Sequence, residues 1–159
     1  MAIDPDRLTV SDELLGEGSF GRVLAGVLST HGRDQQVAVK ILPALTRTEQ
    51  REQFDRELKA HLTAQQGANG VCRLIGSCQK GDRMCLVMKR YTRSLADMID
   101  AGELGHSETR RIARSLCRTL AELHEAGVVV QDIKPANVLL DQYDEPVFAD
   151  FGISGERCL

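Results

Sequence analysis

Four side chains in the last third of the sequence have types and spacing that suit phosphoryl transfer. Asp132, Lys134 and Asn137 fall within six residues, and Asp150 follows after a short apolar stretch. A carboxylate can orient a hydroxyl nucleophile, a lysine can neutralise a transferring phosphoryl group, and Asn and Asp oxygens are hard ligands that suit Mg²⁺. Pro135 stiffens the segment, which favours a fixed loop. Taken singly, each residue is more often a turn former or a surface charge, so the signal lies in the set and its order.

Three glycines near the N-terminus, Gly16, Gly18 and Gly21, follow the pattern G-x-G-x-x-G. In a dinucleotide-binding fold this pattern opens a helix, whereas the run that comes next here, Arg22–Leu28, is typical of a strand. The sequence has no Gly-Lys-Ser/Thr, which excludes a Walker A loop. We therefore expect a flap between two strands whose backbone N–H groups approach phosphates closely, with Phe20 at its tip shielding the site from water. Glycines that only mark a turn are the alternative.

A lysine at the end of a strand and a glutamate in a helix form a second candidate constellation. In the predicted strand Gln36–Leu42, Ala38 and Lys40 share one face because side chains alternate. In the predicted helix Thr46–Gln66, Glu57 falls on the apolar stripe. A buried carboxylate needs a partner, and Lys40 is the natural one, held in this way for a phosphate. The alternatives are a solvated lysine and a glutamate that flanks the stripe and reaches solvent.

Hydrophobic patterning and turn residues divide the chain into strands and helices. The first helix begins with capping-box spacing at Thr46 and Glu49, and the third has an apolar face and an arginine-rich face. The predicted strands are Leu8–Leu15, Arg22–Leu28, Gln36–Leu42, Val71–Ser77, Met84–Tyr91, Val138–Leu140 and Pro146–Ala149, and the predicted helices are Thr46–Gln66, Ser94–Ala101 and Ser107–Ala126. Strands with one helix come first, and helices with a hairpin follow. This order indicates an α+β chain in two lobes with a boundary near Tyr91–Ser94.

The composition is that of an ordinary globular protein. The chain has 159 residues, with 42% hydrophobic and 27% charged residues, which is one domain by length alone. With 20 basic and 23 acidic side chains the net charge is −3, so no strongly basic field points to nucleic acid. No apolar run has the length of a membrane span, and the N-terminus is not typical of a secretory signal. The five cysteines contain no C-x-x-C, which favours reduced thiols in a cytoplasmic protein over disulfides or a zinc site.

Together these motifs resemble the first part of a eukaryotic protein kinase domain. The match comprises the glycine loop Gly16–Val23, the strand lysine in Val37–Lys40, the helix carboxylate Glu57, the catalytic loop Asp132–Asn137 and the metal-binding triplet Asp150–Gly152. The resemblance implies a complete N-terminal lobe over 1–91, with an antiparallel sheet, one helix and the ATP flap. It implies that 92–159 contain the hinge, the first helices of a helical C-terminal lobe, the catalytic loop and the triplet.

The resemblance also implies cofactors, ATP and Mg²⁺, and a role for each site residue. Lys40, held by Glu57, would contact the α- and β-phosphates. Asp132 would be the catalytic base, and Asn137 and Asp150 would bind Mg²⁺. The other nucleotide contacts would come from Gly16, Gly18, Gly21, Val23, Ala38, Met88 as gatekeeper, Lys89 and Tyr91 of the hinge, and Leu139. Lys134 resembles the serine/threonine-specific pattern, and the segment Gly76–Cys78 is similar to the tyrosine-kinase-like and receptor-like group.

The sequence departs from the family pattern before the catalytic aspartate. Val130 and Gln131 stand where the family usually has His and Arg. Gln131 cannot form the bidentate ion pair of that arginine with an activation-loop phosphate, which argues against this form of control. By the resemblance, His61 stacks with Leu74, Val130 and Phe151. We expect His61 to be satisfied by water or by backbone rather than to act as a pH switch.

The sequence also departs from the family pattern at its end. Only seven residues follow Gly152, where the family continues with an activation segment, an Ala-Pro-Glu motif and several helices. We expect a truncated piece of a serine/threonine kinase whose parent phosphorylates protein substrates. For these residues alone we expect ATP binding and weak or absent protein phosphorylation. The alternatives are a non-catalytic nucleotide-binding or regulatory module that docks to a protein partner, and an inactive truncated isoform.

Overall fold

The computed structural model of the chain describes residues 1–18, 21–30, 32–43, 47–151 and 155–156. The chain divides into two compact units. The first unit comprises Met1–Leu58 and Arg73–Arg90, and the second comprises Lys59–Cys72 and Tyr91–Leu159. The chain crosses between the units three times, after Leu58, after Cys72 and after Arg90.

The first unit is built on a five-stranded antiparallel sheet. Its strands are β1 (Leu8–Gly18), β2 (Gly21–Thr30), β3 (Arg33–Ile41), β4 (Leu74–Lys80) and β5 (Arg83–Lys89), in the order β1-β2-β3-β5-β4. Val37 and Val39 of β3 are fully buried because alternate residues of the strand face the apolar core. That core also contains Leu8, Leu28, Cys78, Cys85 and Val87.

Two features of this sheet differ from the sequence prediction or add to it. The fourth strand was predicted from Val71, but β4 begins at Leu74. Val71 instead forms a bridge with Phe148 in the second unit, in which Cys72 N donates to Phe148 O and Phe148 N donates to Gly70 O. The first residues of the chain extend the sheet beyond β4. Ile3 N donates to Ser77 O at 2.9 Å, and Ser77 N donates to Met1 O at 3.0 Å.

Helix α1 (Arg47–Gly67) follows the sheet's third strand. The predicted capping residue Thr46 lies outside the described residues. The buried side chains on this helix include two polar residues, Glu57 and His61, together with Phe54 and Ala64. These side chains follow each other at three- and four-residue intervals and so form one helix face, as a period of 3.6 residues requires.

The second unit combines helices with short strands. Its helices are the C-terminal part of α1, α2 (Leu95–Asp100) and α3 (His106–Glu125), and its strands are β6 (Arg93–Ser94), β7 (Val128–Val129), β8 (Val138–Leu140), β9 (Pro146–Phe148) and β10 (Gly155–Glu156). Strands β6, β8 and β9 form one sheet, and β7 pairs with β10. Helix α2 has a full capping box between Ser94 and Asp97. The bounds of α2, α3, β8 and β9 agree with the sequence prediction to within one residue at each end.

The core of the second unit contains the predicted apolar face of α3. Ile112 and Leu123 are buried, and Leu116 and Leu120 pack against the same cluster. This cluster also holds Ala64, Val71, Leu95, Met98, Val130, Val138, Leu140, Phe148 and Phe151. Within the described ranges, no helix has the length and apolar character that a membrane crossing needs.

Candidate functional site

The glycine motif lies in the connection between β1 and β2. The two strands pair up to Gly18 opposite Gly21, so the motif closes an antiparallel hairpin and does not open a helix. Gly21 has a φ of +120°, and a Cβ on it would meet Ile41 O at 2.2 Å. Both facts require glycine at this position. Phe20, which was expected to shield the site, lies outside the described residues.

Gly16 differs from Gly21 because its surroundings are open. A Cβ on Gly16 would have no described neighbour within 4 Å, and its φ is not in the left-handed region. The fold of the chain therefore does not itself require glycine here. Absence of a side chain at this position leaves the backbone of β1 accessible to another molecule.

Lys40 and Glu57 form a buried ion pair, a point on which the sequence pattern left alternatives. The Nζ atom of Lys40 donates to Oε1 of Glu57 at 2.5 Å. The two side chains are 7% and 3% exposed, so both charges are withdrawn from water. The alternatives of a solvated lysine and a solvent-facing glutamate are therefore wrong. Since a buried charge is costly without a partner, each residue holds the other in place.

The strand register places the residues expected to contact a nucleotide around Lys40. Ala38 and Lys40 lie on the face of β3 opposite Val37 and Val39. Across the sheet, Val23 pairs with Lys40, and Met88 pairs with Ala38. Met88 is 6% exposed. The sheet of the first unit thus holds the small and apolar side chains next to the buried ammonium group.

The three remaining candidate hinge and nucleotide positions are partly buried. Lys89 ends β5, and its backbone N–H donates to Arg73 O at 2.8 Å. Tyr91 and Leu139 belong to the second unit, where both are half-buried. Leu139 is the middle residue of β8, and its side chain faces away from the buried Val138 and Leu140.

The predicted catalytic loop, Asp132–Asn137, is held together by three bonds on Asp132. Nδ2 of Asn137 donates to the carbonyl oxygen of Asp132 at 3.0 Å and to its Oδ2 at 2.9 Å. Nζ of Lys134 lies 2.7 Å from the same Oδ2. Between them the chain forms a single 3₁₀ turn, Pro135–Asn137, with proline at its first position. The three predicted residues of this loop are thus in direct contact.

These bonds set the charge state of Asp132. The hydrogen bond from Lys134 is the main cause that lowers the pKa of the Asp132 carboxyl, and the Asn137 amide adds to it. Hydrogen bonds and a cation both favour the ionised carboxylate. Asp132 is therefore a carboxylate with one oxygen, Oδ2, already occupied by two donors.

A backbone hydrogen bond ties Asp150 to the same loop. Ala149 N donates to Asn137 O at 3.1 Å, directly before Asp150. Asn137 and Asp150 are the two candidate oxygen donors for a cation, and no cluster of three or more His, Cys, Asp or Glu side chains suited to a metal occurs in the described part of the chain. Two protein oxygens fit Mg²⁺, which typically takes one or two protein ligands and completes its shell with water and phosphate.

Phe151 and His61 form a contact in the core of the second unit. Their ring centroids lie 5.0 Å apart at an interplanar angle of 44°. Nε2 of His61 lies 2.6 Å from Cys72 O, so the expectation that backbone satisfies this histidine is confirmed. Val130, which stands at the family's histidine position, is buried, and Gln131 is exposed.

The sequence pattern missed the bond between Asn137 and Asp132, because it assigned Asn137 to a metal alone. An amide five residues after a carboxylate, in a loop stiffened by Pro135, was the available signal. The sequence analysis also missed the capping box of α2. It identified the capping-box spacing at Thr46 and Glu49 but overlooked the same spacing at Ser94 and Asp97, where the structure has the box.

Comparison with known proteins agrees with this arrangement. The family model of the protein kinase domain matches residues 9–157. The chain is 31% identical over 146 residues to the Protein Kinase of the Outer Chloroplast Membrane 1 of Arabidopsis thaliana, covering 87% of this chain and 24% of that protein. It is 33% identical over 149 residues to the receptor-like serine/threonine-protein kinase ALE2 of Arabidopsis thaliana, covering 90% and 19%.

A yeast protein is similar to the same extent. The dual specificity protein kinase KNS1 of Saccharomyces cerevisiae is 32% identical over 139 residues, which is 84% of this chain and 19% of that protein. The chain thus spans a quarter or less of the length of these relatives. The match of the family model covers nearly the whole chain. The chain belongs to the protein kinase domain family.

Proposed function

We propose that this chain binds Mg·ATP and that the whole protein transfers the γ-phosphoryl group to serine and threonine hydroxyls of protein substrates. The observation that carries the proposal is the buried ion pair between Lys40 and Glu57. The carboxylate of Glu57 holds the Lys40 ammonium group in one position. A positive charge at a fixed position is what binding of the ATP phosphates requires. Family membership supports the same activity.

In the first unit, the nucleotide is bound by backbone and apolar groups around this pair. Lys40 contacts the α- and β-phosphates, and the open backbone at Gly16 lets phosphate approach the flap. The purine packs against Val23 and Ala38, and backbone groups of the hinge bind its edge. The residues of this unit proposed for the nucleotide are Gly16, Gly18, Gly21, Val23, Ala38, Lys40, Met88 and Lys89, whereas Tyr91 and Leu139 of the second unit are proposed from the family resemblance alone.

Asp132 acts as the catalytic base through one particular oxygen. Its Oδ2 accepts hydrogen bonds from Asn137 and Lys134, which leaves Oδ1 to orient the substrate hydroxyl and accept its proton. The lowered pKa of this carboxyl keeps it ionised and ready to accept. Lys134 bonds Asp132 and adds a positive charge where the transferring phosphoryl group passes.

Asn137 and Asp150 hold Mg²⁺ in this proposal. Because Nδ2 of Asn137 donates to Asp132, its Oδ1 is the atom that faces a cation. The Ala149 to Asn137 backbone bond keeps Asp150 next to it. Bound Mg²⁺ neutralises phosphate charge, and bound ATP supplies the phosphoryl group.

Serine/threonine specificity and location are the finer parts of the proposal. Lys134 two residues after Asp132 and the serine/threonine kinase among the relatives support the first. A cytoplasmic location is supported by the described cysteines, Cys72, Cys78, Cys85 and Cys117, which are free thiols. Gln131 is neutral and exposed, so the proposal includes no control by a phosphate bound there. A regulatory protein partner is part of the proposal only if the chain binds nucleotide without transferring phosphate.

Thermal unfolding with nucleotide tests the binding half of the proposal. We expect saturating Mg·ATP to raise the melting temperature of the chain, because a ligand that binds only the folded state stabilises it. Lys40→Met should abolish the shift. Arg51→Met, which removes an exposed cation from α1, is the matched control and should keep it. A melting curve of the parent chain that millimolar Mg·ATP does not move would refute nucleotide binding.

Phosphate transfer to a generic basic protein tests the catalytic half. The whole protein should label serine and threonine, identified by phosphoamino-acid analysis, and Asp132→Asn should remove the labelling but keep the thermal shift. Labelling of tyrosine alone would refute the proposed specificity. A thermal shift without labelling by the whole protein would favour the alternative, a nucleotide-binding regulatory module.

A further inference from the structure

Three exposed arginines form a row along helix α3. Arg110, Arg114 and Arg118 are spaced by four residues each, and all three side chains are exposed. Residues four apart lie on the same helix face, with a rise of about 6 Å between them. The row therefore presents three guanidinium groups along about 12 Å of helix. It lies on the face opposite the apolar one that carries Ile112 and Leu123.

These arginines have no carboxylate partner among the described residues. The ion pairs of the described residues include none with Arg110, Arg114 or Arg118. Like charges four residues apart on a helix repel each other and destabilise it. A bound anion removes this repulsion, so the row is a surface on which negative charge is stabilising.

The row lines a groove of about 340 Å³, one wall of which is held by bonds within the protein. The wall is formed by Arg111, which binds Oε1 of Glu145 at 2.5 Å and the carbonyl oxygen of Asp144 at 3.0 Å. The turn that carries Glu145 is fixed by Asp141, whose Oδ1 accepts from Tyr143 N at 2.8 Å and from Glu145 N at 2.9 Å. Arg111 thus bonds to groups of the protein itself, whereas the guanidinium groups of Arg110, Arg114 and Arg118 are available to bind another molecule.

We propose that this groove binds an acidic peptide segment in an extended conformation, with acidic side chains at alternate positions. In an extended chain, residues i and i+2 point the same way and lie about 6.6 Å apart, close to the 6 Å rise between successive arginines. Carboxylates are the natural partners of guanidinium groups, with which they form charge-assisted hydrogen bonds. This surface goes beyond the proposed phosphoryl transfer and does not depend on it.

A peptide fits the groove better than a larger polyanion does. The chain has a net charge of −3, so it repels a nucleic acid or an anionic membrane as a whole. The carboxylate of Glu145 in the groove wall is paired with Arg111. A short acidic segment covers only this groove, so the rest of the acidic surface repels it less than it repels a nucleic acid or a membrane.

Fluorescence anisotropy with labelled peptides tests the proposal on the 159-residue chain. The probe has three glutamates at alternate positions in a Gly/Ser peptide, and a second peptide has the same glutamates in succession. We expect the alternating peptide to bind more tightly, and its affinity to fall at high salt. The triple variant Arg110→Gln, Arg114→Gln, Arg118→Gln should bind the alternating peptide about tenfold more weakly, since each exposed pair contributes modestly.

The control variant is Arg7→Gln, Arg33→Gln, Arg51→Gln. It removes three exposed arginines outside helix α3 and lowers the net charge by the same amount as the triple variant of the row does. We expect it to bind like the parent chain, and both variants to keep the parent's circular dichroism. Equal losses in the two variants would overturn the proposal, because net charge alone would then explain binding. Equal binding of the two peptides to the parent chain would overturn the extended geometry. Tighter, row-dependent binding of an oligonucleotide or of phosphatidylserine vesicles would overturn the choice of a peptide.

Discussion

The side-chain amide of Asn137 donates to the carboxylate of Asp132, with Nδ2 2.9 Å from Oδ2. This bond orients both groups, since Asn137 can then offer only Oδ1 to a cation and Asp132 offers Oδ1 to a hydroxyl. Two proposed functions therefore depend on one hydrogen bond. The consequence is that a change at either residue should alter both metal binding and proton acceptance.

The variant Asn137→Asp should raise the pKa of the carboxyl pair. It replaces a donor by a second carboxylate next to Oδ2 of Asp132, and two close carboxylates cannot both ionise easily. We expect one carboxyl of the pair to titrate above the ordinary value of about 4. A ¹³C NMR titration of the Asp side chains measures this. Asn137→Ala removes the donor without adding a charge and should give a smaller rise. Identical titrations of all three proteins would contradict the arrangement.

Removing the cation at Lys134 should also raise the pKa of Asp132. The ammonium group at 2.7 Å is the main cause of the lowered pKa, so its loss shifts ionisation to higher pH. We expect Lys134→Met to move the acid limb of the transfer rate to higher pH in the whole protein. Lys134→Arg keeps the charge and should leave the limb near its original place. The NMR titration supplies the same comparison without activity, and an unchanged Asp132 curve in Lys134→Met would refute the assignment.

The buried ion pair should show strong coupling in a double-mutant cycle. Glu57→Leu removes the carboxylate that pairs with the buried Lys40 ammonium, and Lys40→Met removes the ammonium that pairs with the buried Glu57 carboxylate, so each should lower the free energy of unfolding by about 3 to 5 kcal/mol. The double variant should recover much of this loss, because two apolar side chains then pack where two charges were. Urea unfolding of the four proteins measures the cycle.

An exposed pair on the same helix is the control for that cycle. Arg51 and Asp55 lie 3.6 Å apart, with side chains 71% and 58% exposed. We expect Arg51→Met and Asp55→Leu to change the unfolding free energy by at most about 1 kcal/mol each, and the coupling to be small. Equal coupling in the two cycles would mean that burial does not matter for Lys40 and Glu57.

Two glycines of one motif should respond differently to the same substitution. Gly21→Ala places a Cβ against Ile41 O and forces a positive φ, so we expect a loss of stability of about 1 to 3 kcal/mol. Gly16→Ala meets no described atom within 4 Å and should leave stability nearly unchanged. By the proposed function, Gly16→Ala should still weaken Mg·ATP binding, because its methyl group lies where phosphate approaches. Thermal unfolding with and without nucleotide measures both effects. Two equally stable variants would contradict the distinction.

The fold was largely predictable because its elements have strong local patterns. The alternation of β3 and the apolar stripe of α3 each have a clear period. Helix α3 lies within one residue of its predicted bounds, whereas β3 begins at Arg33, three residues before the predicted start. The start of β4 was not predictable. Val71 and Cys72 are apolar and suit a strand, but the chain bonds them to Phe148, far away in sequence. Such a choice depends on tertiary contacts that no local pattern contains.

The bonds of the candidate site were predictable only in part. The sequence named Lys40 as the natural partner of Glu57, which is confirmed, but it did not predict the bond from Asn137 to Asp132. The sequence did not decide whether the Glu57 side chain is buried or reaches solvent, because a residue at the margin of an apolar helix face can do either. The structure settles it through the bond to Lys40.

The N-terminal segment Met1–Ile3 affects the tendency of the folded chain to associate with other copies of itself. Strand β4 lies at the edge of the sheet, and Met1 and Ile3 bond both backbone groups of Ser77. An open sheet edge is a template for a strand of another molecule. These two hydrogen bonds therefore cover this part of the sheet edge, which opposes aggregation through strand pairing. A chain shortened by its first three residues should scatter more light on standing than the parent, although every residue proposed for catalysis is kept.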